Sequence, residues 1–136
     1  MIAEDQRLLD RLHRIGSAVT SMIVAGELYY GAAKSEHVEN NWLAVDRFLN
    51  LIDVVPISSS VAGEYARLKS ALLDRFGPRE RARRRNFDLA TLGFGDNDLW
   101  IAATAIDRGA VLVSADPDFE RMANVVDLVV EDWTRP

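Results

Sequence analysis

The sequence predicts an α/β fold built on a parallel sheet, and three observations predict it. Short apolar runs (residues 17–23, 53–57, 110–115 and 128–130) alternate with longer segments whose apolar residues recur at helical spacing. Cap and turn residues punctuate those segments: Ser58-Ser59-Ser60, Gly77-Pro78, Gly109 and Pro117. Finally, three acids sit where parallel sheets place their chemistry, beyond the carboxyl ends of strands. Glu27 follows the first apolar run, Asp116 directly follows the third, and Asp98 opens the segment leading into that third run.

The elements follow in order. Residues 4–14 read as an amphipathic helix, with Leu8, Leu9, Leu12 and Ile15 on one stripe. Residues 17–23 are rich in Val, Thr and Ile and read as a strand, followed by a helix to about Ala33. Residues 37–51 form a second amphipathic helix, with Trp42, Val45, Phe48 and Leu49 together. A short strand covers Asp53 to Ile57, and the three serines cap a helix running to Phe76. The polar, arginine-rich stretch 77–95 reads as a long loop, a length often reserved for function. A helix covers 96–108, a buried strand 110–115, a short helix about 117–123 and a last strand 128–130. Trp42, Phe48 and Phe76 are expected in the core or an interface, not as base-stacking platforms.

A chain of 136 residues suits a single domain, 1–136, with a sizeable core. No apolar run is long enough to cross a bilayer, and the N-terminus lacks a secretory pattern. With no cysteine, disulfides and thiolate metal sites are excluded, and a cytoplasmic location is the default expectation. The net charge of −5 repels nucleic acid overall. Locally the balance reverses: Arg79, Arg81, Arg83, Arg84 and Arg85 fall within seven residues. That run reads equally as a solvated loop or as a set of phosphate contacts.

Each acid has a functional and a purely structural reading. Glu27 is the one charge between Ser21 and Ala33, so its helix is expected to be packed on most sides and the carboxylate to face inward. Asp98 in a first helical turn interacts favourably with the helix dipole, and Asp96 or Asn97 is available as N-cap. Dipole partner and functional acid stay evenly balanced there. Asp116 before Pro117 is first of all a good N-cap, though a cap at a strand end also faces ligands. Asp118 either supports it or is exposed, and Ser114 either bonds locally or lines a site. His13 and His37 lie in polar surroundings and are not catalytic candidates. Three carboxylates converging would suit a hard divalent cation.

Four motifs, taken in order, resemble the PIN-domain family: Glu27-Leu28-Tyr29-Tyr30-Gly31, Asp96-Asn97-Asp98-Leu99-Trp100-Ile101-Ala102-Ala103, Ser114-Ala115-Asp116-Pro117-Asp118-Phe119 and Val130-Glu131-Asp132-Trp133. The resemblance runs from about Ile15 to Trp133 and is nearest to VapC-type toxins of type II toxin–antitoxin systems. It implies a three-layer α/β/α arrangement and a metal-dependent endoribonuclease using Mg²⁺ or Mn²⁺. Carried over, Glu27, Asp98 and Asp116 are metal ligands, Asp96 and Asp118 accessory acids, and Ser114 a lining residue. Water would attack in line, leaving a 5′-phosphate and a 3′-hydroxyl, with the arginine run guiding RNA to the acids. A cognate antitoxin and a homodimer are the implied partners.

The sequence departs from the family pattern at its start. Such toxins open with an apolar strand ending in Asp; here Leu8-Leu9-Asp10 lies in a helical pattern, close to Glu27, and Asp10 is not assigned that role. The expectation is therefore an N-terminally incomplete PIN-like domain lacking the usual first strand, with weak or absent nuclease activity in the chain as given. The missing strand would lie upstream in the natural protein. Otherwise residues 17–23 would close up beside 110–115, or a partner would supply it. The competing functions are a catalytically impaired PIN-like module acting by antitoxin binding or self-association, and a DNase or flap-type nuclease.

Overall fold

The computed structural model describes residues 6–135. The chain divides into two compact units, Met1–Pro56 and Ile57–Pro136.

The first unit opens with helix α1 (Gln6–Ile15), as its apolar spacing predicts; residues 4 and 5 of the expected helix lie outside the described residues. Within α1, Gln6 Nε2 donates to Asp10 Oδ1 at 2.9 Å, so Asp10 serves a helical i,i+4 pair. Strand β1 (Val19–Ser21) is shorter than expected, because Ser21 ends it. Its Oγ accepts from the Val24 amide at 3.1 Å, which caps helix α2 (Met22–Ala33) and draws Met22 and Ile23 into the helix despite their strand propensity. Helix α3 (Val38–Asn50) packs on α2. There the Tyr29 hydroxyl donates to Asp46 Oδ1 at 2.6 Å, and the Tyr29 and Trp42 rings meet at 4.5 Å. Strand β2 (Asp53–Val55) pairs in parallel with β1, Val19 opposite Asp53 and Ser21 opposite Val55.

The second unit holds the larger core. Helix α4 (Ser59–Phe76) starts as predicted, with Ser58 Oγ accepting from the Val61 amide at 3.3 Å. The expected loop 77–95 is partly ordered into helix α5 (Arg81–Arg84) and a 3-10 turn (Leu89–Leu92). Asp88 caps that turn, its Oδ1 accepting from the Ala90 amide at 2.9 Å. Helix α6 (Asp96–Arg108) lies along α4 and ends at Gly109, whose φ of 60° a residue with a Cβ seldom adopts. Leu68 and Leu72 of α4, Leu99 and Ala102 of α6, and Phe94 between the turn and α6 form one buried cluster with Phe119 and Met122 of helix α7 (Pro117–Ala123).

Strands β3 (Leu112–Val113) and β4 (Val130–Glu131) form a parallel pair, Leu112 opposite Val130. The prediction of a buried strand over 110–115 fails here. Val111 and Val113 are exposed, because a two-stranded ribbon covers little of either face. The last strand likewise begins at Val130, while Leu128 is drawn into the core. Among the described residues no helix is long and apolar enough to cross a membrane.

Candidate active site

Glu27 sits in the middle of α2 and is exposed, as are Met22, Gly26 and Tyr30. Only Ala25 and Ala32 of this helix are buried. The expectation of a helix packed on most sides is overturned. Small side chains, rather than the large apolar ones, take the packed positions. Glu27 therefore bears no burial cost, and its candidacy rests on its motif alone.

The other acids lie in the second unit at the starts of two helices. Asp96 and Asp98 occupy the first turn of α6, where the helix dipole favours negative charge. Neither Asp96 nor Asn97 is the N-cap: that position falls to Gly95, which makes no side-chain cap bond. Asp98 is half-buried, whereas Asp96 is exposed. Asp96 is held by a relay from α4. Lys69 Nζ donates to the Tyr65 hydroxyl at 3.1 Å, the Tyr65 hydroxyl donates to Asp96 Oδ1, and Lys69 Nζ stands 3.7 Å from the same oxygen. Burial, and then the bond to Asp96, raise the Tyr65 phenol above its ordinary pKa; the bond to Tyr65 raises the Lys69 ammonium. The Tyr65 ring stacks on Trp100 at 3.9 Å and 9°. Asp96 is thus a partner of α4 before it is anything else.

Asp116 is the N-cap of α7 with Pro117 at the first turn, as the dipeptide predicts, and its Oδ1 accepts from the Asp118 amide at 2.9 Å. Ser114 plays the local role weighed for it, its Oγ accepting from the Asp116 amide at 3.1 Å. The Asp118 carboxylate is ion-paired with Arg121 at 3.0 Å. The Asp132 carboxyl is held below its ordinary pKa, chiefly by the Thr134 hydroxyl and amide, so the last motif closes a turn.

The basic run divides in two. Arg84 is ion-paired with Asp74 of α4, which ties α5 back to that helix. Arg79, Arg81, Arg83 and Arg85 are exposed.

The donor chemistry suits a hard divalent ion: the candidates offer carboxylate oxygens, and both histidines are exposed and outside the motifs. Among the described residues, neither unit by itself gathers three such side chains closely enough to hold one ion. Sequence reasoning missed Tyr65, Lys69 and Arg121. The i,i+4 spacing of Tyr65 and Lys69 and the i,i+3 spacing of Asp118 and Arg121 were the available local signals.

A family model described as PIN domain matches residues 3–125. Ribonuclease VapC2 of Rickettsia felis is 30% identical over 128 residues, covering 93% of this chain and 82% of that protein. Ribonuclease VapC2 of Haemophilus influenzae is 33% identical over 121 residues, 87% of this chain and 76% of that one. Among solved structures, VapBC2 from Rickettsia felis bound to a DNA fragment from their promoter matches with a TM-score of 0.73 at 28% identity, over 93% of this chain and 83% of that chain.

Proposed function

This chain belongs to the PIN-domain family, and from that premise we infer that it is the toxin of a toxin–antitoxin pair, an endoribonuclease whose substrate is RNA and whose partner is a cognate antitoxin. The observation that carries this reading is likeness to named ribonucleases over almost the whole chain, with a family match spanning both compact units. We take the two units to serve one PIN domain, acting in the cytoplasm.

In this reading Glu27, Asp98 and Asp116 hold a divalent cation, Mg²⁺ or Mn²⁺, and Asp96, Ser114 and Asp118 support them. When bound, the ion acidifies a water and offsets negative charge on the phosphate. The remaining work belongs to the protein. The first turns of α6 and α7 fix where Asp98 and Asp116 are presented, since each acid sits on a helix anchored in the same core. The exposed arginines around α5 bring anionic RNA toward a chain whose net charge of −5 opposes it.

The direct test removes the ion. Dialysis against a chelator is expected to abolish cleavage of single-stranded RNA, and Mg²⁺ or Mn²⁺ to restore it; cleavage at full rate in the chelated protein overturns the metal reading. Parallel digestion of DNA separates a ribonuclease from a DNase.

The divided basic run gives a second expectation. On a labelled single strand of RNA, each of Arg79, Arg81, Arg83 and Arg85 changed to Gln lowers the slope of log K against log salt by about 0.7, the value for one phosphate contact. Arg84→Gln lowers it by less, because Asp74 already neutralises that guanidinium. Fluorescence anisotropy in an Asp98→Asn background, which prevents cleavage, reads both. An unchanged slope in the quadruple variant would remove α5 from RNA binding.

A further inference from the structure

We propose that Arg121 is a positioning residue that fixes the start of α6 to the start of α7, with Asp118 as its ion partner and not a metal ligand. The proposal rests on the reading of Asp98 and Asp116 as the working acids. Arg121 lies one turn beyond the Asp116 cap of α7. Its Nη1 donates to the Leu92 carbonyl at 2.6 Å and to Asp118 Oδ1 at 3.0 Å. Its guanidinium lies over the Phe94 ring at 4.2 Å and near Phe76 at 5.3 Å. Charge-assisted bonds and cation–π contact thus converge on one side chain.

What that side chain grips is the segment feeding α6. Leu92 closes the 3-10 turn, Gly93 follows at φ 95°, and Gly95 is the N-cap of the helix whose first turn carries Asp98. A Cβ at Gly93 would stand 3.0 Å from Asp118 Oδ1 and 3.2 Å from Arg121 Nη1. A Cβ there would crowd the ion pair by a few tenths of an ångström, and the positive φ favours glycine at this position. Phe94 is 1% exposed and locks the same segment into the core. The Asp118 charge is already compensated by Arg121, so no cation is needed to balance it.

The test titrates Mn²⁺ into Arg121→Gln, Arg121→Lys, Asp118→Asn and Asp98→Asn by calorimetry. It also measures single-turnover RNA cleavage, and hydrogen exchange of the 93–98 amides without metal. Arg121→Gln is expected to weaken Mn²⁺ binding and lower kcat by about 10-fold, at the lower end of what losing a residue that orients metal ligands costs. The KM for RNA stays within about twofold, because α5 is untouched. The 93–98 amides exchange faster in the same variant. Arg121→Lys recovers part of each loss, since one donor still reaches the Leu92 carbonyl. Asp118→Asn costs less than Arg121→Gln, because the Leu92 and Phe94 contacts remain.

Parental Mn²⁺ affinity and exchange rates in folded Arg121→Gln overturn the proposal. So does an Asp118→Asn loss as large as that of Asp98→Asn, which would make Asp118 a ligand. If Arg121→Gln does not fold, Arg121→Lys decides, and parental affinity there is equally fatal. If Asp98→Asn itself leaves Mn²⁺ binding and cleavage intact, the nuclease site is wrong, whatever Arg121 does.

Discussion

Asp98→Asn and Glu27→Gln each lower the single-turnover rate of RNA cleavage by at least about 100-fold, with the fold intact. Both changes keep the shape of the side chain and remove its charge. A loss of that size corresponds to about 2.7 kcal/mol of transition-state stabilisation. Glu27 is exposed, and surface substitutions usually stay within about 0.5 kcal/mol. Asp98 in the first turn of α6 gains the helix-dipole term, about 0.3–1 kcal/mol. A urea melt beside the cleavage assay therefore separates chemistry from stability. Asp96→Asn is the informative comparison: its carboxylate is tied to Tyr65 and Lys69, so its loss of rate is expected to be smaller. Glu27→Gln and Asp98→Asn proteins that cut as fast as the parent would end the carboxylate mechanism.

Phe94→Ala destabilises the second unit by about 3–5 kcal/mol, the range for emptying a buried aromatic site. Phe94 is 1% exposed, packs 5.5 Å from Phe76 and carries the Arg121 guanidinium on its face. Its neighbours Leu68, Leu72 and Leu99 are held by two long helices that do not collapse freely into a void. The midpoint of urea unfolding falls accordingly, while Val111→Thr at an exposed position moves stability by about 0.5 kcal/mol or less. A midpoint for Phe94→Ala within error of the parent would show that the cluster around α4, α6 and α7 is not the stabilising core.

Local signals read well at several helix ends, though not at Ser21 or at the start of α6, where Gly95 is the N-cap. Ser58 starts α4, Gly109 ends α6, and Asp116-Pro117 opens α7, each through bonds that span a few residues. They read poorly for the strands. Residues 17–23 and 110–115 have strand composition, yet the ladders are three and two residues long. Ser21 turns the first run into a helix, and the two-residue pairing of β3 with β4 limits the other. The burial expected of Glu27 fails for a related reason: apolar neighbours in sequence do not reveal which side of a helix finds another element to pack on.

The site divides the same way. The order and spacing of Glu27, Asp98, Asp116 and their flanking residues are written in the sequence, and they identify the family without coordinates. Composition set the net charge, and the clustering of arginines marked the RNA-facing candidates. Only the tertiary structure decided that Arg84 is spent on Asp74, that Asp96 is spent on the Tyr65–Lys69 relay, and that Arg121, already within i,i+3 reach of Asp118, also grips the Leu92 carbonyl. The physical reason is range. Caps and periodicity act within one or two helical turns, whereas Arg121 reaches a carbonyl 29 positions away and Tyr65 a carboxylate 31 positions away. Contacts at that separation exist only after the core has brought the helices together, and no local pattern encodes them.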